Sequence, residues 1–189
     1  FASTCSVYGA QNKILTERSQ TNPLSLYAST KLEAEKYVLD KNGLVFRLGT
    51  LYGLGDRHSR IRLDLVVNVL TLKALREGRI TVFGGDQWRP IISVKDVANY
   101  FIEAAERDLR GVFNIKYKNV RIIDLAKRIK RIFPDIKIVT TQRKFEDLRN
   151  YRVDTRKAEK HFRFRPKITI EEEVDRMKAG MLILDTIIT

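Results

Sequence analysis

The chain has 189 residues, of which 43% are hydrophobic, so it can form one domain, or one and a fraction, around a substantial core. It contains no apolar run of about 18 residues or more, and its first residues lack the basic and apolar regions of a signal peptide, so we expect neither a membrane span nor a secretory leader. The single cysteine, Cys5, cannot form an internal disulfide, and we therefore expect a cytoplasmic protein.

The charge balance is strongly basic, with 36 Lys and Arg residues against 23 Asp and Glu residues and a formal net charge of +13. Such a surface attracts polyanions, which include nucleic acids, acidic membranes and phosphorylated ligands. A charge-rich, heat-adapted surface would also give this excess. A more acidic remainder of a longer chain would do so too, and we favour these two explanations over a nucleic-acid-binding surface.

Strand-like and helix-like stretches alternate along the chain, which predicts an α/β fold. The first stretch, 1–9, is interpreted as the end of a buried strand that runs into a turn, so we expect the chain to be part of something longer. A helix is predicted over 24–39, with Pro23 in its first turn and a stop at Asn42-Gly43. The other predicted strands are 44–48, 80–83, 91–92, 112–115 and 137–140. The other predicted helices are 63–77, 93–107, 122–133 and one that begins at 169.

Two helix starts carry the sequence signature of a capping box, a hydroxyl residue followed three positions later by a carboxylate: Ser93 with Asp96, and Thr169 with Glu172. Residues 49–59 are predicted to form a loop, and a soft boundary is expected near 53–60, where glycines and charges cluster. We predict a sheet remnant over 1–55 and a smaller α/β lobe over 56–189.

Tyr27 and Lys31 carry the clearest chemical signal. Residues four apart share one face of a helix, so the phenol and the ammonium can meet. A neighbouring ammonium favours the phenolate form of a tyrosine, and such a group can exchange a proton with a sugar hydroxyl. The spacing alone is common on helix surfaces and does not decide the function.

The segment before this helix, 3–9, resembles the Ser/Thr-rich strand end of extended short-chain dehydrogenases/reductases. In that family a Ser or Thr hydroxyl, four residues before the tyrosine of a Tyr-Gly pair, hydrogen-bonds the reacting oxygen. Thr4 fills that position here. A strand-end hydroxyl followed by Tyr27 and Lys31, in this order, indicates the family far more specifically than either feature alone.

Three later segments continue the resemblance. Residues 47–53 are similar to a family segment that borders the nicotinamide and the substrate, with Thr50 in the Asn/Thr position and Leu54 where the family often has proline. Residues 83–98 resemble a glycine turn, arginine, strand and helix start, and Arg89 matches the arginine that binds the nucleotide diphosphate. Residues 147–154 resemble a segment whose arginine, here Arg149, reaches the diphosphate or ribose.

The resemblance covers essentially the whole chain and is closest to UDP-glucose 4-epimerase-like proteins. It implies a partial Rossmann-like parallel sheet, made of C-terminal strands only, and a small α/β substrate-binding lobe. It also implies NAD as cofactor, a nucleotide-diphosphate sugar as ligand, and a homodimer formed through the helix of Tyr27. The resemblance gives catalytic roles to Thr4, Tyr27 and Lys31, cofactor contacts to Tyr27, Lys31 and Thr50, and substrate contacts to Thr50, Arg89 and Arg149. Cys5-Ser6 replaces the Asp-Glu pair of the dehydratase branch, which disfavours dehydration.

The glycine-rich dinucleotide fingerprint G-x-G-x-x-G does not occur in the sequence. The missing cofactor half would require on the order of 100 residues, so we expect weak or no NAD binding and no turnover by the isolated chain. Two alternatives remain open: a nucleotide-sugar 4-reductase, which stops after one hydride transfer, and a basic module that binds nucleic acid through aromatics such as Tyr117, Tyr151 and Phe162. His58 and His161 lack the spacing of a metal site, and none is predicted.

Overall fold

A computed structural model describes residues 1–56, 58, 62–141 and 150–188, with side chains up to residue 180. It confirms the α/β class. The strands are β1 (Ala2–Thr4), β2 (Ala10–Leu15), β3 (Leu44–Leu48), β4 (Thr50–Tyr52), β5 (Arg79–Phe83), β6 (Trp88–Ser93), β7 (Gly111–Ile115), β8 (Lys118–Arg121), β9 (Lys137–Thr141) and β10 (Asn150–Val153). The α-helices are α1 (Leu26–Asp40), α2 (Val66–Glu77), α3 (Val94–Ala105), α4 (Ile122–Ile132), α5 (Arg156–His161) and α6 (Ile170–Ile188).

The sheet at the start of the chain consists of parallel strands in the order β1-β3-β7. Successive side chains of a strand point to opposite faces. On β3, the ring of Phe46 lies 5.1 Å from that of Phe101 on α3, whereas Arg47 hydrogen-bonds Glu35 on α1. Helices α1 and α3 therefore cover opposite faces of the sheet, which is the layering of a Rossmann-like fold.

A second group of elements surrounds another apolar core. Helices α2, α4 and α6 pack against one another and against β5, which pairs in parallel with β9. Strand β6 connects the two groups, because it pairs in parallel with β4 and antiparallel with β8. Strands β2 and β10 form a separate parallel pair.

The predicted strand end and turn over 1–9 are confirmed. β1 ends at Thr4, whose hydroxyl oxygen accepts a hydrogen bond from the Ser6 backbone N–H at 3.1 Å and caps a single 3₁₀ turn, Cys5–Tyr8. Gly9 then has a φ of 69°, and the next residues turn into β2. Because the turn begins where the sheet ends, Thr4 stands at the carboxyl edge of the parallel strands.

Helix α1 differs from the prediction at its start. Ser25 is the N-cap, with its side chain accepting a hydrogen bond from the Ala28 N–H at 3.2 Å, so Pro23 precedes the helix and does not lie in its first turn. The expected stop is confirmed. Asn42 has a φ of 56°, and the Gly43 N–H returns to the Val38 carbonyl oxygen at 2.8 Å.

One of the two predicted capping boxes is confirmed. The Thr169 hydroxyl accepts from the Glu172 N–H at 3.2 Å, and a Glu172 carboxylate oxygen accepts from the Thr169 N–H at 2.7 Å. The prediction for Ser93 and Asp96 is half wrong. Ser93 caps α3, but Asp96 accepts from the backbone N–H groups of Lys167 and Ile168, at 3.1 and 3.0 Å. Asp96 is therefore a link between α3 and the segment before α6.

Elements that the sequence did not predict are short and have distant partners. The predicted loop over 49–59 contains β4, which pairs with β6 about forty residues later, and β2, β8, β10 and α5 were also not predicted. The division of the chain at residue 55 remains a prediction, and the first sheet includes β7 from beyond that point. Within the described residues, no helix has the length and apolar character to cross a bilayer.

Candidate active site

A cleft of about 770 Å³ lies at the carboxyl ends of β1 and β3. In open α/β sheets this edge is the usual place for ligands, and the volume lies within the range of small-molecule sites. Its lining comes from β1 and the following turn, α1, residues 48–51, α2, β5 and β6. Chain segments as far apart as Ala2 and Ile122 thus meet around one space.

Thr4 lines this cleft from the end of β1. Its side chain is nearly buried, and its oxygen already accepts one hydrogen bond from the Ser6 N–H. A hydroxyl has two acceptor lone pairs and one donor. The Thr4 hydroxyl therefore keeps its donor available for an oxygen atom of a ligand.

Tyr27 and Lys31 line the cleft from the first half of α1. The Lys31 Nζ lies 6.0 Å from the centroid of the Tyr27 ring, as the four-residue spacing predicts. The same Nζ donates a hydrogen bond to the carbonyl oxygen of Ala2 at 2.8 Å and lies 4.8 Å from the Phe1 ring centroid. Lys31 is therefore held against β1, whereas Tyr27 is 55% exposed and open to the cleft.

Thr50 and Arg89 line the same cleft from β4 and β6. Their strands are neighbours, with Thr50 paired to Ile91. Arg89 is buried, donates from Nη1 to the Trp88 carbonyl oxygen at 2.9 Å, and lies 6.0 Å over the ring of Tyr151. Arg149, the remaining predicted site residue, lies outside the described residues.

Several lining residues were not predicted from the sequence. Ser6 lies beside Thr4, and its hydroxyl contacts the Tyr151 hydroxyl at 3.2 Å. Its place in the segment 3–9 was a usable signal. The far end of the cleft is apolar and is formed by side chains of α2 and β5, which looked like ordinary core positions in the sequence: Leu65, Val66, Val69, Leu70, Val82 and Phe83.

The charges around the cleft are mostly positive. The lining residues that the structure describes include Lys31, Arg62, Lys73 and Arg89, against the single carboxylate of Asp64. Arg62 and Asp64 form a two-point ion pair, with both N–O distances at 2.8 Å. The cleft therefore favours an anionic ligand.

Behind the cleft, a buried network joins the elements that carry the lining residues. Arg47 on β3 donates to both carboxylate oxygens of Glu35 on α1, and the hydroxyl of Ser3 on β1 donates to the same carboxylate. Arg47 also donates to the Tyr8 hydroxyl at 3.0 Å. Burial disfavours the Arg47 charge, but hydrogen bonds to Glu35 and Tyr8 outweigh this and raise the pKa of the guanidinium. Burial also disfavours the ionised form of Tyr8, and this raises the pKa of its hydroxyl.

A family model described as the NAD dependent epimerase/dehydratase family matches residues 1–115. The chain belongs to this family. The match includes all the described residues that were predicted for the site, from Thr4 to Arg89. The resemblance inferred from the sequence motifs is thus confirmed, and the partial Rossmann-like sheet agrees with it.

Relatives of this family member are longer than the chain. An uncharacterised protein of Methanocaldococcus jannaschii is 30% identical over 195 residues, which covers 93% of this chain and 56% of that protein. The chain is also similar in structure to a UDP-glucose 4-epimerase of Thermotoga maritima with UDP-glucose, at 26% identity and a TM-score of 0.80, covering 97% of this chain and 63% of that one. A UDP-N-acetylglucosamine 4-epimerase of Methanobrevibacter ruminantium has the same fold, with a TM-score of 0.82, 23% identity, and coverage of 97% and 62%.

The residues present fit one side of a dinucleotide site for this NAD-dependent family. Tyr27, Lys31 and Thr50 open on the cleft at the carboxyl edge of the sheet, where the fold places such ligands. The glycine-rich turn that would cradle the pyrophosphate is absent from the sequence. Among the described residues, no group of His, Cys, Asp and Glu side chains could hold a metal ion.

Proposed function

We propose that this chain is the substrate side of an NAD-dependent nucleotide-sugar epimerase. The observation that supports the proposal is the convergence of Thr4, Tyr27, Lys31, Thr50 and Arg89 on one cleft. Residues at random surface positions along ninety residues of chain would not share a cavity at the ligand-binding edge of the sheet. The family to which the chain belongs performs this class of chemistry.

The arrangement suits an alternation of oxidation and reduction at one sugar carbon. Tyr27 removes the proton from a sugar hydroxyl and later returns it, with the Thr4 hydroxyl donating to the same oxygen. Lys31, fixed to β1 through the Ala2 carbonyl, keeps a positive charge beside Tyr27 and would contact the ribose of the cofactor. NAD, when bound beside Tyr27, Lys31 and Thr50, would supply a reversible acceptor for the hydride of that carbon. The intermediate keto sugar turns over between the two transfers, which inverts the carbon.

The rest of the cleft suits the nucleotide part of the substrate. Arg89 and Lys73 line the cleft, where their guanidinium and ammonium groups would bind a diphosphate. Thr50 would contact both cofactor and sugar, and Arg149 would add a second guanidinium. The apolar end between α2 and β5 would accept the flat face of the base. In this scheme, residues 1–55 belong to the cofactor domain and 56–189 to the substrate lobe.

The test uses the full-length protein encoded by the gene, assayed with NAD and UDP-glucose, UDP-N-acetylglucosamine or UDP-glucuronic acid. Formation of the C4 epimer is followed by proton NMR. Tyr27→Phe should lower turnover by about 10²- to 10⁴-fold, the usual contribution of a positioned acid-base group. Tyr37→Phe is the matched control, because Tyr37 lies on the same helix and is 69% exposed outside the cleft.

An epimerase site at Tyr27 is excluded if the two variants turn over equally fast. In a parallel assay that supplies NADH and a 4-keto nucleotide sugar, net consumption of NADH with a single reduced product would instead identify the nucleotide-sugar 4-reductase.

We also propose a homodimer through the outer face of α1. Leu26 and Tyr37 of this helix are 81% and 69% exposed, so α1 presents more than one large apolar side chain to solvent. Light scattering of the wild type and of Leu26→Asp tests this. The dimer mass should be lost in the variant, and a wild type that is monomeric at high micromolar concentration would contradict the proposal.

A further inference from the structure

One buried ion pair connects β3 with β1 and α1, the two elements that carry the proposed catalytic residues. Glu35 lies one turn beyond Lys31 on α1, and Arg47 lies on β3 shortly before Thr50. Arg47 Nη2 is 2.6 Å from one carboxylate oxygen of Glu35, and Arg47 Nε is 3.0 and 3.1 Å from the two oxygens. Ser3, the neighbour of Thr4 on β1, donates to Glu35 Oε1 at 2.5 Å. Every carboxylate oxygen of Glu35 is therefore engaged.

Stability alone does not explain such a pair. The Arg47 and Glu35 side chains are 7% and 2% exposed, so both charges are removed from water. The desolvation of two buried charges offsets most of their attraction, and apolar side chains of similar volume often serve the fold as well or better. What the pair does provide is direction, because a guanidinium fork accepts a carboxylate in only a few geometries.

The pair is itself held from the other side of the guanidinium. Arg47 Nη1 donates to the Tyr8 hydroxyl at 3.0 Å, and this hydroxyl donates to Asn114 Oδ1 on β7 at 2.7 Å. These hydrogen bonds fix the orientation of the Glu35 carboxylate relative to the β1-β3-β7 sheet.

Helix α1 is tied to β1 at two levels. Lys31 Nζ bonds the Ala2 carbonyl oxygen at 2.8 Å, and one turn later Glu35 accepts the hydroxyl of Ser3. Two ties one turn apart fix both the distance of a helix from a strand and its rotation about its own axis. Tyr27 lies one turn before Lys31 on the same side of the helix. The rotation of α1 therefore sets the distance between the hydroxyl of Tyr27 and that of Thr4.

We infer that Glu35 and Arg47 are positioning residues, which act through Lys31 and the rotation of α1 to place the Tyr27 hydroxyl against the Thr4 hydroxyl. The inference rests on the proposed function only in that the placement serves proton transfer. The geometric effect exists in the chain regardless of substrate.

The test replaces the buried pair by apolar side chains, in the double variant Glu35→Met/Arg47→Met. The melting temperature should stay the same or rise. In the full-length protein, kcat should fall about 10- to 100-fold, because misplacement of reacting groups by about 1 Å has such an effect. The KM for the nucleotide sugar should change less than about twofold, since α2, β5 and β6 still hold the nucleotide. Asp108→Met/Arg110→Met is the matched control, an exposed ion pair of 2.9 Å between α3 and β7 that lies outside the cleft, and it should leave kcat unchanged.

A second measurement does not depend on turnover. The ring resonances of carbon-13-labelled Tyr27 in the 189-residue chain should shift in the double variant and stay in place in the control. If the double variant does not fold, Arg47→Lys takes its place, because an ammonium keeps the charge but not the fork. An unchanged kcat together with unchanged Tyr27 resonances, in whichever variant folds, overturns the positioning role. Absence of turnover in the wild type would refute the proposed function alone, and the Tyr27 resonances would still decide this inference.

Discussion

Single residues fix the path of the chain into the cleft, and Gly9 is the clearest example. It has a φ of 69°, and a Cβ at this position would lie 2.0 Å from the carbonyl oxygen of Asn22. The same turn carries Thr4 and Ser6, which line the cleft. A glycine is therefore required here both by the backbone angle and by the close approach of another backbone segment.

We predict that Gly9→Ala lowers the free energy of unfolding by more than about 2 kcal/mol, because it combines left-handed strain with a backbone clash. Gly78→Ala is the control. Gly78 has a φ of 58° but no atom within 4 Å of an added Cβ, so only the backbone strain of about 1 kcal/mol applies. Urea denaturation of the three proteins measures both values, and equal losses would show that the Asn22 contact yields easily.

The predicted site residues that the structure describes all line the cleft. The four-residue spacing of Tyr27 and Lys31 survives into the structure, since a helix converts it directly into a distance. Thr4 was assigned through the family resemblance of the segment 3–9. The pair of Glu35 and Arg47 could not be predicted, because the burial of a charge depends on the packing of α1 against β3, which no spacing within either element reveals.

At the scale of elements, the longer helices and the apolar strands β3, β5, β7 and β9 could be predicted, whereas β2, β4, β8, β10 and the short helix α5 could not. The periodic helices α2, α3 and α4 were placed to within three residues of their bounds. A three-residue strand such as β4 has no period of its own and forms only because β6 lies beside it. The two predicted capping boxes had different outcomes because one carboxylate is exposed and the other is buried. Among the described residues, the exposed Glu172 carboxylate hydrogen-bonds its own helix start, whereas Asp96 is buried and accepts hydrogen bonds from the segment before α6.

The confirmed capping box gives a prediction for α6. Thr169→Ala should lower the free energy of unfolding by about 1 kcal/mol, the usual cost of removing an N-cap hydroxyl. Glu172→Ala should cost less, because its bond serves the N-cap backbone at an exposed position. The double variant should cost less than the sum of the two, since each side chain supports the same helix start. Strict additivity in urea denaturation would show that the two bonds act independently.

Asp96 gives a prediction about pH. Burial raises the pKa of its carboxyl group, although the N–H groups of Ile168 and Lys167 act in the opposite direction, and its Oδ1 has no hydrogen-bond partner among the described residues. A carboxyl with a raised native pKa binds more protons in the folded state than in the unfolded state. The free energy of unfolding therefore falls as the pH rises from the unfolded value, about 3.9, through the native pKa.

In Asp96→Asn this contribution is absent. The stability difference, wild type minus variant, should be largest near pH 4 and should decrease towards pH 7, as measured by urea denaturation at several pH values. Asp135→Asn, in the exposed turn after α4, is the control for the loss of one carboxylate charge. A difference for Asp96→Asn that grows with pH would mean that the folded protein favours the ionised carboxylate.

At the scale of the whole molecule, two groups of elements meet along one cleft, and each contributes what the other lacks. The β1-β3-β7 sheet with α1 brings hydroxyls, a phenol and an ammonium, while α2, β5 and β6 bring an apolar wall and further cations. The net charge of +13 is consistent with either a nucleic acid or a phosphorylated small molecule as ligand. The cations that line the cleft, however, lie beside Thr4 and Tyr27, whose proposed proton transfer a nucleic-acid surface does not need. This placement favours a phosphorylated small molecule.

The isolated chain and the full-length protein should differ in their affinity for the cofactor. The 189-residue chain holds Tyr27, Lys31 and Thr50 at the cleft but has no glycine-rich turn to receive a pyrophosphate at a helix N-terminus. Titration of the isolated chain with NADH, followed by fluorescence, should give a Kd weaker than about 100 µM, a free energy of binding about 5.5 kcal/mol or less in magnitude. The full-length protein should bind in the low micromolar range, and Lys31→Met should weaken that binding. Low-micromolar binding by the isolated chain would show that the cleft holds the dinucleotide through its own residues, and the assignment of residues 1–55 as a remnant of the cofactor domain would then be wrong.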